Sequence, residues 1–213
     1  MKKLTIYLII FIVVSGCNSS QPLMNLLGKS EYSKRERKDL IKLITFFESQ
    51  ISIEGKSKKE AYEQIISKTN KDYMAIPNNI SIDKQREIFK EINSSLYHDI
   101  WYEGDAKAYK SFKGKKFDKP IKYKSISAKI DSKYIKLLQT LGKNNPKIAS
   151  YVEKTQNTGD FPMFYNLFGM LVDTELNWTE KLDDSKWRLI ISIHLLTINE
   201  DQNRYISLKE LSK

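Results

Sequence analysis

Apolar residues recur at three- and four-residue spacing along most of this chain, and that spacing is typical of helices that bury one face. In residues 34–52 the apolar face consists of Leu40, Leu43, Ile44, Phe47 and Ile51. Only 8 glycines and 5 prolines occur among 213 residues, which disfavours turn-rich β architectures. The length suits one domain, and a hydrophobic content of 40% is enough to form its core. We therefore predict a mainly α fold, with a single compact helical domain over residues 34–213.

Local signals divide this domain into elements. Further helices are predicted over 57–69, 82–100, 132–141, 146–155 and 162–176, with a loop over 70–81. Ser33, followed three residues later by Glu36, is typical of a capping box at the start of the first helix. Residues 184–198 fit two patterns, a strand with alternating apolar residues and a helix. The length of this segment and the lack of a nearby turn favour a buried helix.

Residues 101–130 differ from the rest of the chain because nine lysines and several aromatic residues stand there against three acidic residues. We predict an irregular insertion that contains a short β-hairpin near residues 117–126. Its candidate surface for an anionic partner consists of Lys113, Lys115, Lys116, Lys119, Lys122 and Lys124. A solvated face is the alternative, since the whole chain prefers lysine, with 31 lysines to 5 arginines. Nucleic acid is not an expected partner, because its recognition favours the planar arginine side chain.

The N-terminal 17 residues have the organisation of a signal peptide. Lys2 and Lys3 precede an apolar run over residues 4–14, and small residues follow it. A run of this length is typical of the central region of a signal peptide and is too short to span a bilayer. We therefore expect residues 1–16 to be removed and residues 17–33 to form a modified N-terminus and a tether.

The residues that end the apolar run, Val14-Ser15-Gly16-Cys17, resemble the lipobox of bacterial lipoprotein precursors, with Val14 in place of the usual leucine. The resemblance covers residues 1–17 only and implies no fold. It implies that the Cys17 thiol receives a diacylglyceryl group, that signal peptidase II cuts before Cys17, and that the new amine is then open to acylation, for example with palmitate. Two or three acyl chains form a firm membrane anchor, since each buried methylene contributes about 0.8 kcal/mol. The alternative is a soluble secreted protein whose only cysteine is incidental.

The same resemblance implies a location in the cell envelope, facing the periplasm or the cell exterior. If the cell is Gram-negative, Asn18 favours the outer membrane, because many inner-membrane lipoproteins carry aspartate at that position.

Residues 199–210 resemble the calcium loop of an EF-hand. The candidate ligands, at loop positions 1, 3, 5 and 12, are Asn199, Asp201, Asn203 and Glu210. Arg204 replaces the glycine that this loop needs for its sharp turn, and Asn199 replaces the usual aspartate. We therefore favour a polar turn into a short terminal helix or strand, and expect no metal and no cofactor.

Candidate catalytic residues do not form a consistent set. Glu48-Ser49 matches the catalytic dipeptide of lytic transglycosylases, but the glycine- and tyrosine-containing motifs that accompany it in that family are missing. His98 and Asp99 are neighbours on a predicted helix, so their side chains point in different directions. His194 lies in an apolar segment, which indicates a hydrogen-bonded core histidine.

Three functions remain open. The preferred one is a lipid-anchored, non-enzymatic module that binds a protein partner in the envelope, and its most concrete form is an immunity protein against a periplasmic toxin. The second is a structural lipoprotein that binds anionic lipid or cell-wall polymer through residues 101–130. The third is a carboxylate-dependent envelope hydrolase that uses Glu48 or Glu175. The preference follows from the lack of catalytic residues with mutually supporting spacing.

Overall fold

Helices make up most of residues 20–28, 30–72, 75–108, 121–173 and 177–210, the ranges that a computed structural model describes. The helices are α1 (Gln21–Leu27), α2 (Lys34–Ile51), α3 (Lys58–Lys71), α4 (Ala75–Asn79), α5 (Ile82–Glu91), α6 (Ser94–Ile100), α7 (Lys133–Gly142), α8 (Pro146–Thr158), α9 (Phe164–Leu171) and α10 (Ser185–Glu210). Strands β1 (Trp101–Ala108) and β2 (Ile121–Ala128) pair antiparallel. The prediction of a mainly α fold is confirmed.

The predicted capping box starts α2. The Ser33 hydroxyl accepts the Glu36 N–H at 3.3 Å, and the Glu36 carboxylate accepts the Ser33 N–H at 2.7 Å. Ser57 and Glu60 form a second box of the same kind at the start of α3. Each box satisfies backbone donors that a helix N-terminus leaves without an intrahelical partner.

Helix α1 corrects the prediction of a tether over 17–33. Leu23 and Leu27 are one turn apart and fully buried, and α1 packs against α2 and α10. Pro22 does not prevent the helix because it lies in the first turn, where its missing N–H is not needed. Tyr32 is also buried and donates its hydroxyl proton to Asp99 at 2.7 Å. The segment before α2 is therefore part of the core, and residues 17–19 lie outside the described ranges.

Three predicted elements have wrong bounds: the loop over 70–81, the single helix over 82–100, and the helix over 162–176, which ends at Leu171 where the backbone becomes extended. The predicted loop over 70–81 contains α4, and the single helix predicted over 82–100 is two helices, α5 and α6. Between these helices Asn93 caps α6 by accepting the Ser95 N–H at 2.9 Å, while its own N–H is accepted by Asp39. Ile92 and Leu96 are both buried, so the apolar spacing continues from α5 into α6 and gives no sign that the helix ends between them.

The hairpin is longer and more regular than predicted. Its register runs from Trp101 opposite Ala128 to Ala108 opposite Ile121, and residues 109–120 between the strands lie outside the described ranges. The outer edge of β2 is covered: Asp201 accepts the Ile126 N–H at 3.4 Å, and Asp160 accepts the Ala128 N–H at 2.9 Å. These carboxylates satisfy donors that an edge strand otherwise exposes.

Helix α10 lies at the centre of the fold and contacts α1, α2, α4, α5 and β2. The preference for a helix over 184–198 is correct. Residues 189–196 are buried at every position, and this explains why the sequence fitted both a helix and a strand. Although α10 is 26 residues long, none of the helices in the described part of the chain is apolar enough over sufficient length to cross a bilayer.

Candidate functional site

A solvent-open groove of about 440 Å³ lies between α5, α6, the start of β1 and α10, and we call it the α5–α10 groove. Helix α5 contributes Arg86, Phe89 and Lys90, which share one face because they are three and four residues apart. Helix α6 contributes Tyr97 and His98. Because β1 follows α6 without a connecting loop, its early residues are held close to these aromatic rings.

Two arginines hold one buried glutamate at the base of the groove. The Glu200 side chain is only 4% exposed. Arg204 donates its Nε–H to Glu200 at 2.8 Å, and Arg86 donates its Nε–H to both Glu200 carboxylate oxygens at 3.3 Å. A carboxylate in this position requires such partners, because an unpaired buried charge is costly. The two guanidinium groups are therefore positioned by the same acidic residue.

Arg204 links Glu200 to the hairpin. Its Nη2 donates to Glu103 at 2.6 Å, and its Nη1 donates to the Lys124 carbonyl oxygen at 3.2 Å. Burial alone lowers the pKa of Arg204, but the hydrogen bonds to Glu200 and Glu103 outweigh it and raise the pKa. This side chain therefore stays charged and fixes α10 against both strands.

The second acidic residue of the groove, Glu103, is also paired, through one of its two oxygens. Tyr97 donates its hydroxyl proton to the Glu103 oxygen that Arg204 contacts, at 2.8 Å. Burial raises the pKa of Glu103, yet the hydrogen bonds from Arg204 and Tyr97 outweigh it, so the pKa lies below its usual range. With histidine counted as neutral, three basic and two acidic side chains give the groove a formal charge of +1.

Aromatic rings form the floor of the groove. Phe89 meets Tyr97 edge to face with centroids 5.5 Å apart, and both rings pack on Trp101, at 4.8 and 5.2 Å. Trp101 is buried, and its Nε1–H is donated to Thr197 on α10 at 2.7 Å. The floor is therefore held by the core and presents a preformed apolar surface beside the charged groups.

The calcium-loop candidates Asn199, Asp201, Asn203 and Glu210 lie inside α10, so the polar turn into a short terminal helix or strand that we predicted there is wrong. Asn199 is buried and donates to Gln85 at 2.9 Å, whereas Asp201 faces β2. Residues 199–210 form a continuous helix and not the loop that a calcium site of this kind requires. In the described ranges no group of three or more histidine, cysteine or acidic side chains could hold a metal.

The predicted lysine surface is only partly within the described residues. Lys122 and Lys124 are exposed on β2, and Lys124 forms an ion pair with Asp105 at 2.8 Å. The other candidates, Lys113, Lys115, Lys116 and Lys119, lie outside the described ranges. So do the lipobox residues Val14, Ser15, Gly16 and Cys17, together with Glu175.

Glu48 is held by a salt bridge in which both carboxylate oxygens are engaged. Arg188 donates Nε–H and Nη2–H to the two oxygens at 2.5 and 3.0 Å, and Lys58 adds a bond at 2.7 Å. Burial raises the pKa of Glu48, but the bonds from Arg188 and Lys58 outweigh it and lower the pKa. A general acid needs a raised pKa at neutral pH, so this environment does not suit the catalytic role considered for Glu48.

The histidines lie in two different environments. His194 is buried on α10 and shares a 2.8 Å hydrogen bond with the Tyr151 hydroxyl, in keeping with the prediction of a core histidine. His98 is exposed in the α5–α10 groove, whereas Asp99 accepts bonds from Tyr32 and from the Lys133 N–H. As predicted, the two neighbours do not act as a pair.

Sequence reasoning did not find the groove, because its residues come from segments about a hundred positions apart. A signal was nevertheless present in the scarcity of arginine. Three of the five arginines, Arg86, Arg188 and Arg204, contact glutamates with little exposed surface, whereas most other basic positions of the chain are lysines. Arginine suits such positions because its planar group donates several hydrogen bonds in a fixed geometry.

Comparisons with protein-family models, with curated proteins and with solved structures found no match. Evidence about function therefore comes from the geometry of the described residues and from the sequence pattern of residues 1–17.

Proposed function

We propose that this protein is a lipid-anchored lipoprotein of the bacterial cell envelope that binds a protein partner without catalysing a reaction. The lipobox-like residues that end at Cys17 support the anchor. The α5–α10 groove supports the binding role and is the surface that contacts the partner. An immunity protein against a periplasmic toxin is the most specific form of this proposal.

The observation that carries the binding role is the pairing of aromatic rings and arginines in one preformed surface. Phe89 and Tyr97 pack on the buried Trp101, and Arg86 and Arg204 are positioned by Glu200. Aromatic residues and arginine are enriched where protein interfaces gain most of their binding energy. Since these side chains are already ordered, less conformational entropy is lost when a partner binds.

Site-specific photocrosslinking in the producing cell tests this role. Ser94 lines the groove, and Gln156 is an exposed position on α8 that serves as the matched control. With a photoreactive phenylalanine at Ser94 we expect one discrete crosslinked protein in the envelope fraction. The same residue at Gln156 is expected to give no such product. An absence of crosslinks at Ser94, or equal products from both positions, would contradict the proposal.

A further inference from the structure

We infer that the α5–α10 groove recognises an acidic side chain of the partner through Arg86, with a neighbouring aromatic or aliphatic residue of the partner on Phe89 and Tyr97. This inference rests on the proposed function and specifies the chemistry of its binding site. It follows from three features of the groove: an arginine edge that is still available to donate hydrogen bonds, a net positive charge, and an apolar floor beside them.

The available donor group is the outer edge of the Arg86 guanidinium. Glu200 engages the Nε–H of Arg86 with both oxygens at 3.3 Å, and this contact orients the plane of the group. The Arg86 side chain is 42% exposed, and among the described residues its Nη atoms make no hydrogen bond. Two parallel N–H groups in one plane match the two oxygens of a carboxylate.

The charge of the groove selects an acidic group. Lys90 lies one turn beyond Arg86 on α5 and adds a second exposed cation. Glu200 is buried and both of its oxygens accept arginine N–H groups. Glu103 is 40% exposed, with one oxygen bonded to Arg204 and Tyr97, so a basic group of a partner meets only the second oxygen of Glu103, beside the three cations of the groove. Because the formal charge of the groove is +1, one carboxylate neutralises it, whereas a dianion would leave excess charge near Glu103 and Glu200.

The floor of the groove selects what accompanies that carboxylate. Phe89, Ile92 and Tyr97 offer apolar surface next to Arg86. A volume of about 440 Å³ lies within the range of sites that enclose small organic groups. A pair of neighbouring side chains, one acidic and one aromatic or aliphatic, therefore uses both parts of the groove.

Two blocked dipeptides, acetyl-Phe-Glu-amide and acetyl-Phe-Gln-amide, test the recognition step by NMR with the full chain in detergent. They have nearly the same shape and differ in charge. The chain has only five arginines, so the Arg86 Nε–H signal can be assigned by substitution. We expect the glutamate peptide to shift the signals of Arg86 and His98, and the glutamine peptide to bind about tenfold more weakly. Equal binding of the two peptides, or no binding of the glutamate peptide, would overturn the inference.

Variants separate recognition by Arg86 from a general charge effect. Arg86→Gln should reduce the affinity for the glutamate peptide about tenfold, followed through the His98 signals, and Arg86→Lys should restore part of it. Arg35→Gln is the matched control, because Arg35 is exposed on α2 and this substitution removes the same charge at a distant position. Equal losses in Arg86→Gln and Arg35→Gln would overturn the inference.

The crosslink at Ser94 distinguishes this inference from the proposed function. If the crosslinked partner is present in the unchanged protein and is lost in Arg86→Gln, both are supported. If the crosslink persists at the same yield in Arg86→Gln, the acidic recognition is wrong while the binding role stands. If no partner crosslinks to the unchanged protein, the proposed function fails whatever the peptides show.

Discussion

Mild acid should destabilise this protein through one buried histidine. His194 lies on the central helix α10, is 1% exposed and contacts the Tyr151 hydroxyl and the rings of Phe161 and Phe164. Burial lowers the pKa of His194 to about 3, from an ordinary value of 6.5. The folded state therefore keeps the imidazole neutral over a pH range in which the unfolded chain protonates it.

The sign and size of the effect follow from this difference in pKa. Above the ordinary value of 6.5, His194 is neutral in both states and has no effect on the pH dependence of stability. As the pH falls below that value, the unfolded chain binds a proton that the folded protein does not, so the free energy of unfolding decreases. Between about pH 8 and about pH 5 the loss is about 2 kcal/mol. Asp160 and Asp201 act in the opposite direction at lower pH, because burial raises the pKa of each.

Urea unfolding at several pH values, followed by the fluorescence of the buried Trp101 and Trp187, measures this loss. His194→Gln is the comparison, because it keeps a polar side chain beside Tyr151 and has no titrating ring. The unfolding free energy of the unchanged protein minus that of His194→Gln is expected to fall by about 2 kcal/mol from about pH 8 to about pH 5, whatever its value at about pH 8. The aspartates cancel in this difference. Parallel pH profiles for the two proteins would refute the argument.

Two further substitutions test the fold. Arg188→Met leaves the Glu48 carboxylate in a largely buried position without its main partner, and should lower the free energy of unfolding by about 3–5 kcal/mol in urea titrations. Lys58→Met, which removes the exposed partner of the same carboxylate, should cost about 1 kcal/mol or less, and equal losses would contradict this account of the pair. Leu23→Ala should cost about 2–5 kcal/mol because Leu23 is fully buried. The exposed Asn25→Ala on the same helix should change stability little, and a neutral Leu23→Ala would show that α1 is not part of the core.

Helices with one buried face could be predicted from the sequence directly. A helix that is buried all round fits two patterns, and one very short helix could not be predicted. Helix α2 shows the regular case, with its apolar stripe and its capping box at Ser33. Helix α10 fits two patterns because residues 187–197 are buried at every position, so apolar residues occupy both helical and strand-like positions. Helix α1 could not be predicted because it has only 7 residues, with Pro22 in its first turn and Gly28 after its end. The burial of Leu23 and Leu27 depends on packing against α2 and α10.

The candidate site depends on contacts that no local pattern contains. Glu200 and Arg204 stand four residues apart in a polar run that resembled a calcium loop. In the fold this polar segment is the C-terminal part of α10. Its side chains form hydrogen bonds to other elements: Asn199 to Gln85 on α5, and Arg204 to Glu103 on β1. The sequence showed that these side chains were polar, and the tertiary structure determined their partners.

Intact-mass spectrometry of the protein purified from the membranes of the producing cell tests the lipid-anchored binding module most directly. The account predicts a chain that begins at Cys17 and carries the added mass of a diacylglyceryl group, with or without a further acyl chain. A chain that retains Met1, or one with an unmodified Cys17, would contradict the account.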